Sequence, residues 1–232
     1  MKNIIYPIIA GAAACLLTGC ETTGLSVREN SGVDYPNYVL SLRTDRPNTP
    51  PQKPALPVRL AVAQIGEPAP PRAMLDALSA SPELIATVVG LPLPGDSGNQ
   101  FRYKQTEPAS DYAGRVKAIC RLAQASGADY VFLFGGNVDS WTEGNFLRVF
   151  DLTLIGGMIF PATEIHLEGK GAGTLIDAAT EQPVCFVNAD SQLSNHCPDY
   201  FSNDETMALR VQARDELVGK LQAGLLKKLA TP

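Results

Sequence analysis

Apolar and polar positions along the chain mark out a series of elements that starts at Val58. Val58 to Ile65 is apolar except for Arg59 and Gln64 and has prolines near both ends, so it predicts a buried strand. Pro71 to Leu78 has helical composition, and Pro70 and Pro71 suit its first turn. Leu84 to Val89 predicts a second strand, and the Pro- and Gly-rich stretch 91–109 a loop. From Ser110 to Ser126, Tyr112, Val116, Ile119, Cys120 and Ala123 recur at three- and four-residue steps, which predicts a helix ended by Gly127. Asp129 to Phe134 is a third strand, too apolar to face water.

After Gly135-Gly136 the texture changes. Residues 145–155, 162–176 and 183–188 predict successive strands with short turns, an antiparallel meander. Ala179 to Gln182 is one of those turns. A long helix follows over about 203–229, with Asn203, Asp204 and Glu205 at its start and Lys227 and Lys228 at its end. Met207, Val211, Leu217, Val218, Leu221, Leu225 and Leu229 make most of an apolar stripe on it. The sum is an α/β sandwich: a mixed sheet, meandering in its second half, covered by helices.

The segment ahead of Val58 follows other rules. Lys2 precedes an apolar run of about 14 residues from Ile4, against the roughly 20 that a spanning helix needs. The run closes on Leu17-Thr18-Gly19-Cys20, the layout of a secretory leader with small residues before a cysteine. This resembles the lipobox of bacterial lipoproteins. The resemblance implies removal of 1–19, a diacylglyceryl thioether on Cys20 and an acylated new N-terminus, palmitate among its fatty acids. Residues 20–57 read as a Pro-rich tether, with Pro36, Pro47, Pro50, Pro51, Pro54 and Pro57 among polar neighbours. Residues 58–232 form a single domain. Glu21, rather than Asp, follows the lipidated cysteine, which favours the outer membrane with the domain facing the periplasm.

The formal net charge is −5, one more negative once Lys2 leaves with the leader. That acidity argues against a nucleic-acid partner and against electrostatic attachment to anionic lipid. Acyl chains on Cys20 are then left to hold the bilayer, and more than one chain suffices for a stable anchor.

The lipobox, the patch Ser31-Gly32-Val33-Asp34-Tyr35, the α/β order and the meander ending in Leu175-Ile176-Asp177-Ala178-Ala179-Thr180 together resemble the rhombotarget lipoproteins. The order is also loosely similar to the α/β domains of curli-secretion lipoproteins and of the N-terminal part of the Tol translocation protein. The resemblance implies a non-enzymatic assembly or interaction module of the bacterial envelope, with no catalytic residues to carry over. Residues 227–232 lack the Gly-Gly tail of the rhombotarget group, so processing by a rhomboid-type protease is not implied. A periplasmic small-ligand-binding domain is the alternative, and a degenerate hydrolase a further one.

Gly95-Asp96-Ser97-Gly98 matches the nucleophile motif of trypsin-like proteases, but His166 and His196 both follow Ser97, against that family's order. A turn explains it better. His166 reads as a solvent-facing strand residue. Cys185 and Cys197, twelve apart across a polar stretch, either form a disulfide, as an oxidising compartment allows, or stay reduced with Cys120. Cys120 lies on a core face. No spacing suits zinc, and no metal or cofactor is expected. Gly169, Gly171 and Gly173 share one strand face and favour close packing over phosphate binding. Trp141, on a loop between Gly136 and Gly144, is a candidate partner contact.

Overall fold

The computed structural model describes residues 54–65, 67–93, 109–145 and 161–231. Cys20, most of the tether, Ser97 and the strand expected over 145–155 beyond Asn145 lie outside them. Asn145 itself follows the end of a strand.

Among the described residues the elements run β1 (Val58–Gln64), α1 (Arg72–Ser79), β2 (Ile85–Gly90), α2 (Ala109–Ala125), β3 (Tyr130–Gly144), β4 (Thr163–Asp177), β5 (Pro183–Cys197) and α3 (Ser202–Ala230), with a 3-10 turn (Asp199–Phe201) before α3. They build the mixed sheet expected of an α/β protein, in the order β2-β1-β3-β4-β5. β2, β1 and β3 are parallel, and β3-β4-β5 is an antiparallel meander.

Among the described residues, helices cover one face of the sheet at both ends and the other face at one end only. α1 and α3 pack Met74, Leu78, Leu217, Leu221 and Leu225 onto Leu60, Val62, Phe132, Phe134 and Leu175. On the opposite face α2 sets Val116, Cys120 and Ala123 against Ala61, Ala63, Val131, Leu133 and Ile176. The near-continuous burial of β1 follows from this double cover. α2 stops where the sequence placed its end: Gly127 takes φ +82°, and Ala128 and Gly127 donate back to the carbonyls of Ala123 and Gln124. That pair of bonds is a Schellman ending, and a side chain at Gly127 would be strained there.

Three expectations change. β3 does not stop at Phe134, because Gly135 to Gly144 continues as strand in register with Thr163–Ala172. Turn-forming residues stay extended here since every one of them has a partner on β4. β5 likewise runs to Cys197 rather than to about 188. On α3 the buried stripe is Leu209, Ala213, Leu217, Leu221, Leu225 and Leu229. Met207 and Val211 point away from the sheet and are 59% and 56% exposed.

The long helix can lie close because of the glycines below it. A Cβ at Gly169 would stand 2.9 Å from Leu217 Cδ1, and one at Gly171 3.2 Å from Leu221 Cδ1. Packing is thus the use of the Gly169-Gly171-Gly173 face, and each buried leucine above it contributes about 1.5–3 kcal/mol.

Candidate functional site

Beyond the reach of α2, the meander half of the sheet presents rows of polar side chains on one face. Register places Glu143, Glu164 and His196 side by side on β3, β4 and β5, then Trp141, His166 and Ser194. The next rows are Asp139, Glu168 and Gln192, then Asn137, Lys170 and Asp190. Strand period two puts all of these on the side opposite α3.

Trp141 sits in β3 and not on a loop, which corrects the expectation for that residue. Its half-buried indole stacks on His166 across the strands, with ring centroids 5.4 Å apart and planes 17° from parallel. His166 is half-buried under this stack instead of simply facing solvent. Glu164 Oε1 lies 3.5 Å from His166 Nε2 and 3.8 Å from His196 Nε2. Lys170 Nζ is 2.9 Å from Glu168 Oε1, and that hydrogen bond, with the carboxylate's charge, raises the lysine pKa. The face therefore compensates much of its own charge and offers one aromatic pair among hydrogen-bonding groups.

Of the two readings of Cys185 and Cys197, the same strand excludes the disulfide. Both cysteines lie on β5, at opposite ends, and are not bridged to each other. Twelve residues of extended chain span about 40 Å, whereas a bridge needs Cα atoms within about 7 Å. The polar stretch read as a loop between them is β5 itself. Cys120 is buried as expected, and its thiol is pushed up to about 11, mainly by desolvation, with Glu181 and Asp177 adding to it. Among the described residues no group of three His, Cys, Asp or Glu side chains is placed to hold a metal ion. No helix among them is long and apolar enough to cross a membrane.

The second feature of this half is its outer edge. Among the described residues β5 pairs with β4 alone and is the last strand of the sheet. Two backbone groups show which residues face outward. Asp190 O accepts from Lys220 Nζ at 2.6 Å, and His196 N donates to Asn195 Oδ1 at 2.9 Å. Cys185 O, by contrast, faces β4 and accepts from Thr174 Oγ1. Peptide groups alternate sides along a strand, so Asn188, Gln192 and Ser194 present their N–H and C=O groups outward with Asp190 and His196.

α3 holds this edge in place from behind. Ser191 donates to Glu216 Oε2 at 2.8 Å, and Asn195 donates through its amide to Glu205. Lys220 pairs with Glu216 one turn away. These partners let two polar residues face the helix from a strand position normally filled by an apolar one. The register sets the edge and the polar face together, and no single motif encodes either. The detectable signal was the alternation Asn188, Asp190, Gln192, Ser194, His196 against Val187, Ala189, Leu193 and Cys197.

No protein-family model matches the chain, and no curated protein matches it.

Proposed function

We propose that this chain is a lipid-anchored lipoprotein of the bacterial envelope, whose α/β domain is a non-enzymatic assembly or interaction module. The anchor is Cys20, the tether is 20–57, and the domain faces the periplasm, most simply from the outer membrane. The lipobox and the resemblance to rhombotarget lipoproteins support the address. The observation that carries the module reading is β5: a fifteen-residue edge strand with outward peptide groups and exposed polar side chains. A strand adds to such an edge through main-chain hydrogen bonds, while alternate side chains set the choice of partner. The stacked Trp141 and His166 lie on the adjoining face, two strands and one strand in, and extend the surface a partner could touch.

Intact-mass analysis of the chain purified from bacterial membranes tests the address. Loss of 1–19 and a triacylated Cys20 are expected, and Cys20→Ala is expected to leave the chain unlipidated with its leader uncleaved. An unmodified amino end, or a leader still attached to the unaltered chain, would overturn the reading.

A further inference from the structure

The outer edge of β5 carries a charge pattern that fits a second copy of itself. Glu205 flanks Asn195 near one end, while Lys220 flanks Asp190 toward the other. Among the outward residues, Asp190 is acidic and His196 is the one base. An antiparallel strand reverses this order. With a two-fold axis at Leu193, Asp190 of one copy stands opposite His196 of the other, and Gln192 opposite Ser194. The same register brings the Lys220–Glu216 pair, held at Asp190 and Ser191, beside Glu205 of the other copy, held at Asn195, so that Lys220 lies between two carboxylates.

We propose that β5 pairs antiparallel with β5 of a second copy about a two-fold axis at Leu193, making one continuous ten-stranded sheet. The parity of the strand permits it, since Asp190, Gln192, Ser194 and His196 all turn their peptide groups outward and meet residues that do the same. Isologous pairing leaves no edge at the junction, which is how an otherwise exposed long edge is satisfied. On pairing, Asp190 O exchanges the Lys220 ammonium for a peptide N–H, and Lys220 turns to the second copy's Glu205. Confinement by the Cys20 anchor would raise the local concentration of partners and favour weak edges meeting.

This inference rests on the module reading and names its partner. The test uses the full chain in density-matched detergent, with micelles in excess, followed by sedimentation velocity. A dimer is expected. Ser194→Pro removes one outward N–H that the β4 ladder does not use, so it is expected to keep the circular dichroism and melting of the parent while sedimenting as a monomer. Asp190→Lys is expected to weaken the dimer about tenfold, counting two symmetric cross-strand pairs. Adding His196→Asp to it is expected to restore association.

A monomeric parent chain would overturn the proposal. So would a folded Ser194→Pro variant that still dimerises, or an Asp190→Lys dimer that the second change does not strengthen. If Ser194→Pro fails to fold, the charge-exchange pair decides alone. A monomer that crosslinks through β5 to a different protein would overturn self-pairing and leave the module reading standing. A dimer on an unacylated chain would do the reverse to the anchor.

Discussion

The two ends of the sheet share β3 but are built under opposite conditions. At the parallel end β1 and the first residues of β3 have helices on both faces, and Val131, Phe132, Leu133 and Phe134 are all buried in succession. At the meander end the same β3 continues as Asn137, Asp139 and Trp141 on one face and Val138 and Ser140 on the other, under α3 alone. Double cover forces an unbroken apolar run. Single cover permits alternation, and the uncovered side is then available for binding. Stability is concentrated where both faces are closed, and the polar rows lie where one is left open.

The largest expected effect comes from opening a cavity at the closed end. Phe132→Ala removes a ring that is fully buried and stacked on Phe134 at 5.7 Å, and should cost about 3–5 kcal/mol. Gln192→Ala, on the exposed side of β5, should change stability by less than about 0.5 kcal/mol. Denaturant melts of the two variants measure the contrast. Equal losses would mean that the ends do not divide the labour as described.

Next in size is overpacking at the seam between the ends. A Cβ on Gly173 would lie 2.5 and 2.7 Å from ring atoms of Phe132, which is fixed in the core and has no room to retreat. Gly173→Ala is expected to destabilise by about 1–3 kcal/mol in the same melts. Gly219, on α3 with nothing within 4 Å of a built Cβ, should gain from alanine instead, by up to about 1 kcal/mol.

The closed end was the legible one. β1, α1, β2, α2 and the start of β3 could be read from apolar runs and three-to-four periodicity, because there burial alone decides each residue. The Asp177 turn was also readable: its carboxylate accepts from the N–H groups of Ala179 and Thr180, both at 2.9 Å. The open end hid itself. Gly135, Gly136, Asn137, Asp139 and Ser140 are turn-forming residues held extended by tertiary pairing. Ser191 and Asn195 break the alternation of β5 because Glu216 and Glu205 reach them from the next helix, 25 and 10 residues on. Each of these pairs joins a strand to the helix after it, so strand periodicity alone draws neither the edge nor the polar face, and a loop closed by a disulfide stayed open as a reading of the same stretch. The α3 stripe was misjudged by a rotation: Leu209 and Ala213, not Met207 and Val211, face the sheet.

Thiol chemistry gives a graded check of the same division. Cys120 lies at the closed end with its pKa near 11, so at pH 8 its thiolate is scarcer than that of an ordinary thiol by about two orders of magnitude. Burial also raises the half-buried Cys185, but that side chain retains access to solvent. Iodoacetamide labelling of the native protein followed by peptide mass analysis should modify Cys185 well before Cys120, and denaturation should erase the difference. A bridged Cys185–Cys197 peptide in the unlabelled protein would contradict the single strand that carries both residues.

The smallest expected effect lies on the edge itself, in the pH dependence of Glu216. Hydrogen bonds from Lys220 and then Ser191 favour its carboxylate, so its native pKa is lowered. A group whose pKa falls on folding stabilises the native state above its unfolded value, about 4.3 for glutamate, and loses that contribution as pH drops through the lower native value. Wild type should therefore lose stability across this acid window faster than Glu216→Gln, whose amide can still accept from Ser191 but does not titrate. The difference should be slight, because the pair is exposed and screened, and it should shrink in high salt. If pairing between copies draws Lys220 away to Glu205, the native pKa of Glu216 should rise toward its ordinary value in the dimer. A carboxylate titration followed by NMR at low and high protein concentration would then distinguish an edge that stands alone from one that is occupied.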